Sequence, residues 1–379
     1  MINSTLQKIV KLEGIPFILL MWLLSRIVIL IGLQIIAPLV VTSPVHLEWD
    51  WVNRPHGFIP GYIPQAGWEV FSHWDGKWYR TIATVGYEFA DDEYQHAVAF
   101  FPLFPLIVRG LMLIGLPFEV AGVLVNNVAF LGAMFTLYGW VEDTQDTRVA
   151  KWVTAVLAWL PSSLFGTVIY TEGLFLLVAT QALWAFDQQR YGWAAGWGAL
   201  ASATRVPGML LLPAFLIVAW RDRRPVQAYL AGLATSTGLL LYCGYTAIAF
   251  GEPLAFLKTR VGWAHNASWL TTLKRALTLD QGSIVSILVL LLSFYLVWHL
   301  RSKLPPVAVA YAACVLLLLL GSGSASFYRY LYGIPTTSFA IGLLLADRPR
   351  LGYALMGFFA VSLLTEAVHF AAWDWVRWD

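Results

Sequence analysis

Apolar runs about as long as a bilayer core is thick recur along this 379-residue chain. Lipid offers the backbone no hydrogen bonds, so such a chain must satisfy its own amides and fold as a bundle of helices. The runs fall at 15–41, 99–117, 119–140, 151–170, 172–187, 192–220 with a break at Arg205 to Pro207, 226–250, 283–300, 305–320, 331–345 and 351–372. Only 12% of residues are charged, 59% are hydrophobic, and the mean hydropathy is +0.68. The expected fold class is an all-α polytopic integral membrane protein of about ten to twelve transmembrane helices. A net charge of +2, with no basic tract, argues against a nucleic acid partner. Lys8 and Lys11 precede a first apolar run too long for a signal-peptide core, so that run is expected to be an uncleaved anchor. Cys243 and Cys314 sit in apolar runs and read as small buried thiols.

The basic connections are Arg221, Arg223 and Arg224, then Arg301 and Lys303, then Arg348 and Arg350. The positive-inside bias places these and the N-terminus on the cytoplasmic side, leaving 44–98, 251–282 and 321–330 facing outward. An outer loop before Phe100 and an inner Arg221 require an odd number of crossings between them. The run 99–117 is the one expected not to cross, because Pro102 and Pro105 remove donors early in its helix. No repeat or low-complexity linker divides the chain, so residues 1–379 read as one membrane domain.

The first outer loop is where chemistry concentrates. Between Pro44 and Val98 lie Glu48, Asp50, Glu69, Asp75, Glu88, Asp91, Asp92 and Glu93, with His46, His56, His73 and His96. Within it, Phe71, Trp74, Trp78, Ile82 and Val85 recur at three- and four-residue spacing and predict one helix over Trp68 to Tyr87, lying in the interface. Such a helix would hold Asp75 at the membrane surface, although the same tryptophans could equally anchor a structural loop. A carboxylate is the group expected to take a proton from an attacking hydroxyl, and Asp75, between Trp74 and Gly76, is the candidate. Asp50 has similar neighbours but no helix behind it. Asp91, Asp92 and Glu93 read as a solvated turn, with a divalent cation (Mg or Mn) left open.

The order of motifs resembles a known family. Ser72-His73-Trp74-Asp75, the helix ending in Gly86-Tyr87, and Ala99-Phe100-Phe101-Pro102-Leu103-Phe104-Pro105 are similar to the signature of the PIG-V-type mannosyltransferases, polytopic enzymes of the GT-C glycosyltransferase class. Leu160 to Ser163, Tyr170-Thr171-Glu172-Gly173-Leu174-Phe175, and Ala201 to Arg205 resemble further segments of that family in the same order. Phe327-Tyr328-Arg329-Tyr330-Leu331 resembles its Pro-Arg-Tyr motif with Tyr328 in place of the proline. The resemblance implies a GT-C-type bundle with an interfacial helix in the first outer loop. It also implies an inverting transfer of a hexose, usually mannose, from a polyprenyl- or dolichyl-phosphate sugar to an acceptor hydroxyl, with Asp75 as general base. A lipid or glycolipid acceptor and a prokaryotic origin are expected, hence the plasma (inner) membrane; a eukaryotic chain would sit in the endoplasmic reticulum.

A leaving phosphate needs cationic donors. Arg205 is the strongest candidate, because an arginine within an apolar stretch costs roughly 2.5 to 3.5 kcal/mol on insertion scales. Arg329, among tyrosines in an outward loop, reads either as a phosphate contact or as an interface anchor. Lys77 and Arg80 lie near Asp75 and could meet phosphate or headgroups. Glu172, first in its helix, either favours the helix dipole or contacts substrate or metal. His73 and Trp74 flank Asp75, and His265 sits between Trp263 and Trp269, where a sugar could stack. Asn126 and Asn127 read as interhelical hydrogen-bonding groups. The competing classes are a transporter or flippase of a lipid-linked substrate and a non-catalytic membrane subunit; no inverted repeat supports the first.

Overall fold

The computed structural model describes residues 2–41, 63–92, 94–259, 262, 268–322 and 326–372, the side chains of 2–13 and 322 excepted. All regular structure among them is helical. Helix α1 (Ile2–Ile31) runs through a π turn (Gly32–Ile36) into Ala37–Val40. The first outer loop carries α2 (Gly76–Thr84), and beyond it come α3 (Leu103–Leu113), α4 (Phe118–Thr144), α5 (Thr147–Trp159), α6 (Glu172–Asp187), α7 (Tyr191–Ser202) and α8 (Leu211–Arg221). They are followed by α9 (Val226–Ala234), α10 (Thr237–Phe250), α11 (Gln281–His299), α12 (Pro306–Ser322), α13 (Phe327–Tyr332), α14 (Pro335–Asp347) and α15 (Pro349–Ala371). Five stretches among the described residues are long and apolar enough to cross a membrane: Gly14–Val40, Phe118–Thr144, Val226–Phe250, Gln281–His299 and Pro349–Ala371. Shorter helices complete the bundle.

Local chemistry sets many of these boundaries. Asp146 caps α5, its carboxylate accepting from the Val149 amide at 2.8 Å, and Asp280 caps α11 in the same way through Ser283 at 2.8 Å. Proline opens α12, α14 and α15, where its missing donor costs nothing. Helix α10 stops at Gly251, which adopts the left-handed conformation (φ 71°) that ends many helices.

The run 99–117, expected not to cross, holds the short helix α3. Its 11 residues span about 16 Å, well short of a bilayer core of about 30 Å. Between α3 and Arg221 come α4, long and apolar enough to cross a membrane by itself, then α5 with the 3-10 turn Pro161–Gly166, α6, α7, and Val206–Leu210 with α8. Contacts mark the two ends of the bundle. At one, Gln145 donates to the Lys303 carbonyl (2.8 Å), the Lys303 ammonium pairs with Asp347 (3.3 Å), and Arg224 donates to the Phe186 carbonyl (2.7 Å). At the other, Arg80 pairs with Glu119, the Leu103 amide donates to the Ala203 carbonyl (3.0 Å), and His73 reaches Phe370. The basic connections gather at the first end and the outer-loop motif at the second.

Helix α4 packs against α5 and α6, α6 against α7, and α5 against α14, while α15 closes on α1 and on Pro161–Gly166. Asn126 binds this core together. Its amide donates to the Phe165 and Val168 carbonyls, both at 2.6 Å, and its oxygen accepts from the Gly173 amide at 2.9 Å. Asn127 donates to the Thr167 carbonyl at 3.0 Å. Both asparagines therefore do the interhelical bonding expected of polar groups in lipid. Cys243 and Cys314 are unpaired and half-buried.

The single helix expected over Trp68 to Tyr87 is two shorter elements. A 3-10 turn (Glu69–Ser72) precedes α2, and between them Trp74 takes a left-handed backbone (φ 56°). An aromatic residue there costs on the order of 1–3 kcal/mol. Most of the expected apolar stripe packs against the protein. Phe71 and Ile82 are buried, Trp78 stacks on Phe100 at 5.9 Å, and Val85 stands 84% exposed. Tyr79, off that stripe, is buried between Phe100 and Phe104. The short outer helix α3 covers the side of α2 that periodicity alone would turn to the bilayer.

Candidate active site

The left-handed turn at Trp74 aims Asp75 across the end of the bundle. Asp75 occupies the N-cap of α2, yet its side chain makes no capping bond. Its Oδ2 instead accepts from Arg329 Nη1 at 2.7 Å, and its backbone amide donates to the Tyr170 hydroxyl at 3.2 Å. Arg329 belongs to the short helix α13, not to a loop, and is buried; the reading of it as an interface anchor is thereby corrected. Its Nε donates to Glu172 Oε1 at 2.8 Å, and its guanidinium lies 4.5 Å over the Tyr170 ring and 5.1 Å over Phe165.

Glu172, fully buried at the first residue of α6, also receives Arg205 Nη1 on the same oxygen. Dipole capping alone does not account for a carboxylate held by two guanidiniums. Arg205 sits where α7 ends and the 3-10 turn Val206–Leu210 begins, so the break expected at Arg205 to Pro207 is real. It further donates to Thr171 Oγ1 at 3.3 Å and lies 5.2 Å from the Tyr330 ring centroid. Glu172 Oε2 is buried without a hydrogen-bond partner among the described residues. Two carboxylates and two guanidiniums, drawn from α2, α6, the α7–α8 junction and α13, thus form one network with Asp75 at its rim, 25% exposed in its side chain.

Other expected site residues stand apart from this network. Arg80 donates to Ser72 Oγ at 3.0 Å and pairs with Glu119 at the start of α4, so it joins outer loop to bundle. His73 is buried, its ring stacked on Phe370 at 5.9 Å, with Nδ1–H donating to the Phe370 carbonyl at 3.4 Å. Burial pushes its imidazole down to about 4, partly offset by that carbonyl, with the Lys77 charge lowering it further. Buried and stacked in this way, His73 packs the segment before Asp75 against the end of α15. Trp74 packs partly buried on the core and Lys77 is exposed in the first turn of α2. His265, Asp50, His46, His56 and Glu93 lie outside the described residues. Asp91 pairs with Lys258 and Asp92 with His96, and no group of three His, Cys, Asp or Glu able to hold a metal occurs among the described residues.

Sequence reasoning overlooked Tyr170, Thr171, Tyr79 and Arg26. The first two lie inside a motif whose glutamate drew the attention. Arg26 carried the same signal as Arg205, a guanidinium within an apolar run. It is buried in α1, donating to the Ser163 carbonyl (3.0 Å) and hydroxyl (3.2 Å) and lying 4.6 Å over Phe130. It thereby pins the turn that leads to Tyr170 and Glu172.

A divalent cation fits this site poorly. Asp75 and Glu172 are both in ion pairs with guanidiniums, so a metal between them would face two fixed positive charges at close range.

No curated protein matches the chain by sequence. Among solved structures, ArnT from Cupriavidus metallidurans bound to undecaprenyl phosphate is similar with a TM-score of 0.56 at 14% identity, over 90% of this chain and 63% of ArnT. ArnT in the apo state gives a TM-score of 0.53 at 14% identity, over 91% of this chain and 63% of ArnT. The chain therefore has the GT-C-type fold and spans just under two thirds of the length of these relatives. The family model for mannosyltransferases of the PIG-V type matches residues 16–221, more than half of the chain and every motif from Ser72 to Arg205. The protein belongs to the mannosyltransferase (PIG-V) family of membrane glycosyltransferases.

Proposed function

We propose that the protein transfers a hexose, mannose, from a polyprenyl-phosphate sugar to a hydroxyl of a lipid or glycolipid acceptor at the outer membrane face, with inversion and with Asp75 as the general base. One observation carries this reading. Motif residues far apart in sequence, Asp75, Glu172, Arg205 and Arg329, meet as an acid-base and cationic cluster at the end of the bundle opposite the basic connections. The undecaprenyl phosphate bound by ArnT, which shares the fold, fits a donor of that class here.

The chemistry follows from the groups present. The acceptor hydroxyl gives its proton to the Asp75 carboxylate while its oxygen attacks the anomeric carbon from the face opposite the phosphate, and a single in-line displacement inverts that centre. The bond from carbon to phosphate oxygen breaks, and its electron pair leaves with the polyprenyl phosphate. Arg205 and Arg329 are the cations in reach of that charge, held in advance by Glu172 and by the Tyr170 and Phe165 rings. The unpartnered Glu172 Oε2 is a buried acceptor, for which a sugar hydroxyl is a suitable donor.

The test is sugar transfer by purified protein from radiolabelled polyprenyl-phosphate mannose to lipid from the source membrane. Removing a general base costs about 10² to 10⁴ in rate, so Asp75→Asn should lose transfer by that factor while still binding donor. An asparagine variant with near-normal turnover would remove Asp75 from the role. Donor bound and carried across vesicle membranes without transfer would favour the transporter class.

A further inference from the structure

The four charges of the site cancel, and one of them is shared. Glu172 is satisfied by two guanidiniums, Arg205 and Arg329, both on Oε1. Asp75 has Arg329 as its one ion-pair partner among the described residues. Arg329 therefore holds Glu172 through Nε at 2.8 Å and Asp75 through Nη1 at 2.7 Å, and the two contacts use different nitrogens of one planar fork. The Nε contact is buried against a fully buried carboxylate; the Nη1 contact reaches the rim, where Asp75 is partly exposed.

We propose that Arg329 is handed from Asp75 to the donor phosphate during transfer, pivoting on its Glu172 contact, and that this exchange does the work a divalent cation would otherwise do. The proposal rests on the transferase reading above and adds to it how the site is charged at each stage. Before reaction, Asp75 and Glu172 balance Arg205 and Arg329, and the sugar phosphodiester brings one negative charge. When the acceptor oxygen loses its proton to Asp75, that carboxylate becomes neutral and its claim on Arg329 ends. In the same displacement the phosphate gains the electron pair of the broken bond, and with it a second negative charge. One positive charge is released within the site as one negative charge appears on the leaving group. No metal is needed to balance the step, and none is well placed, since the two carboxylates that could hold one are already held by guanidiniums.

The exchange makes a prediction that a merely structural Arg329–Asp75 pair does not. In the resting enzyme, Asp75 competes with phosphate for Arg329. Asp75→Asn mimics the protonated acid and removes that competition, so it should bind a short-chain polyprenyl phosphate, farnesyl phosphate, about tenfold more tightly than wild type while losing transfer. The gain should vanish in the Asp75→Asn/Arg329→Gln double variant. Chelation with EDTA, or added Mg or Mn, should change neither farnesyl phosphate affinity nor wild-type transfer. Equal or weaker binding by Asp75→Asn, in protein whose melting temperature matches wild type, would overturn the exchange. If that variant proves unstable, wild type carries the decision: transfer that stops with EDTA and returns with Mg would overturn it, and chelator-resistant transfer upholds it. The tenfold gain in a protein whose wild type moves no sugar would leave the competition of Asp75 and phosphate for Arg329 standing and overturn the transferase reading, and with it the handover during transfer.

Discussion

At the scale of single residues, the site depends on polar groups placed where lipid would punish an unpaired one. Arg26 shows the cost. Its guanidinium serves the Ser163 carbonyl and hydroxyl, and Arg26→Ala would leave the buried carbonyl without this donor, a loss of about 1–3 kcal/mol. We expect a lower melting temperature and, because the Pro161–Gly166 turn leads into Tyr170 and Glu172, reduced transfer; thermal unfolding alongside transfer rates measures both. His73 supplies a pH signature. Its folded value near 4 lies below the unfolded value of about 6.5, so between these the unfolded chain binds more protons. The stability from its burial is complete above about pH 6.5 and is lost as pH falls towards 4. His73→Gln should therefore flatten the fall in melting temperature between pH 6.5 and 4.5; an unchanged slope would assign that fall to other groups.

At the scale of elements, the register of α6 against α4 decides where Glu172 sits. A Cβ on Gly173 would lie 2.4 Å from the Asn126 carbonyl oxygen and 2.5 Å from Asn126 Oδ1, so only glycine permits this approach. Gly173→Ala should cost about 1–3 kcal/mol by overpacking and shift the adjacent Glu172, depressing transfer as well as stability. Gly196→Ala in α7, where a Cβ meets nothing within 4 Å, is the control and should be neutral or mildly stabilising. Most spans were legible at this scale, because a run of apolar residues has one outcome in lipid. The outer loop was not. Periodicity read α2 as longer and lying in the interface, since it registers that a face is apolar but not which neighbour covers it, and here α3 and Phe100 do.

For the whole molecule, charge bias and parity together imply that the site and the basic connections lie on opposite faces. A cysteine at Val85, 84% exposed at the site end, should react with a membrane-impermeant maleimide in intact cells, in a background with Cys243 and Cys314 replaced. One at Arg301 should react only after permeabilisation. Labelling of both, or the reverse order, would invert the topology and move the reaction to the other face.

The sequence by itself determined the membrane class, the shortness of α3 and the identity of Asp75 and Arg205 as charged groups needing a purpose. Each follows from local physics: hydrophobic length, proline chemistry and the cost of an ion in lipid. Only the tertiary structure decided which charges meet. Arg329 lies 254 residues from Asp75, and no spacing rule joins them. Their pairing depends on how α13 packs beside the start of α6 and on the left-handed turn at Trp74, long-range contacts that the whole bundle must form before either side chain has a partner.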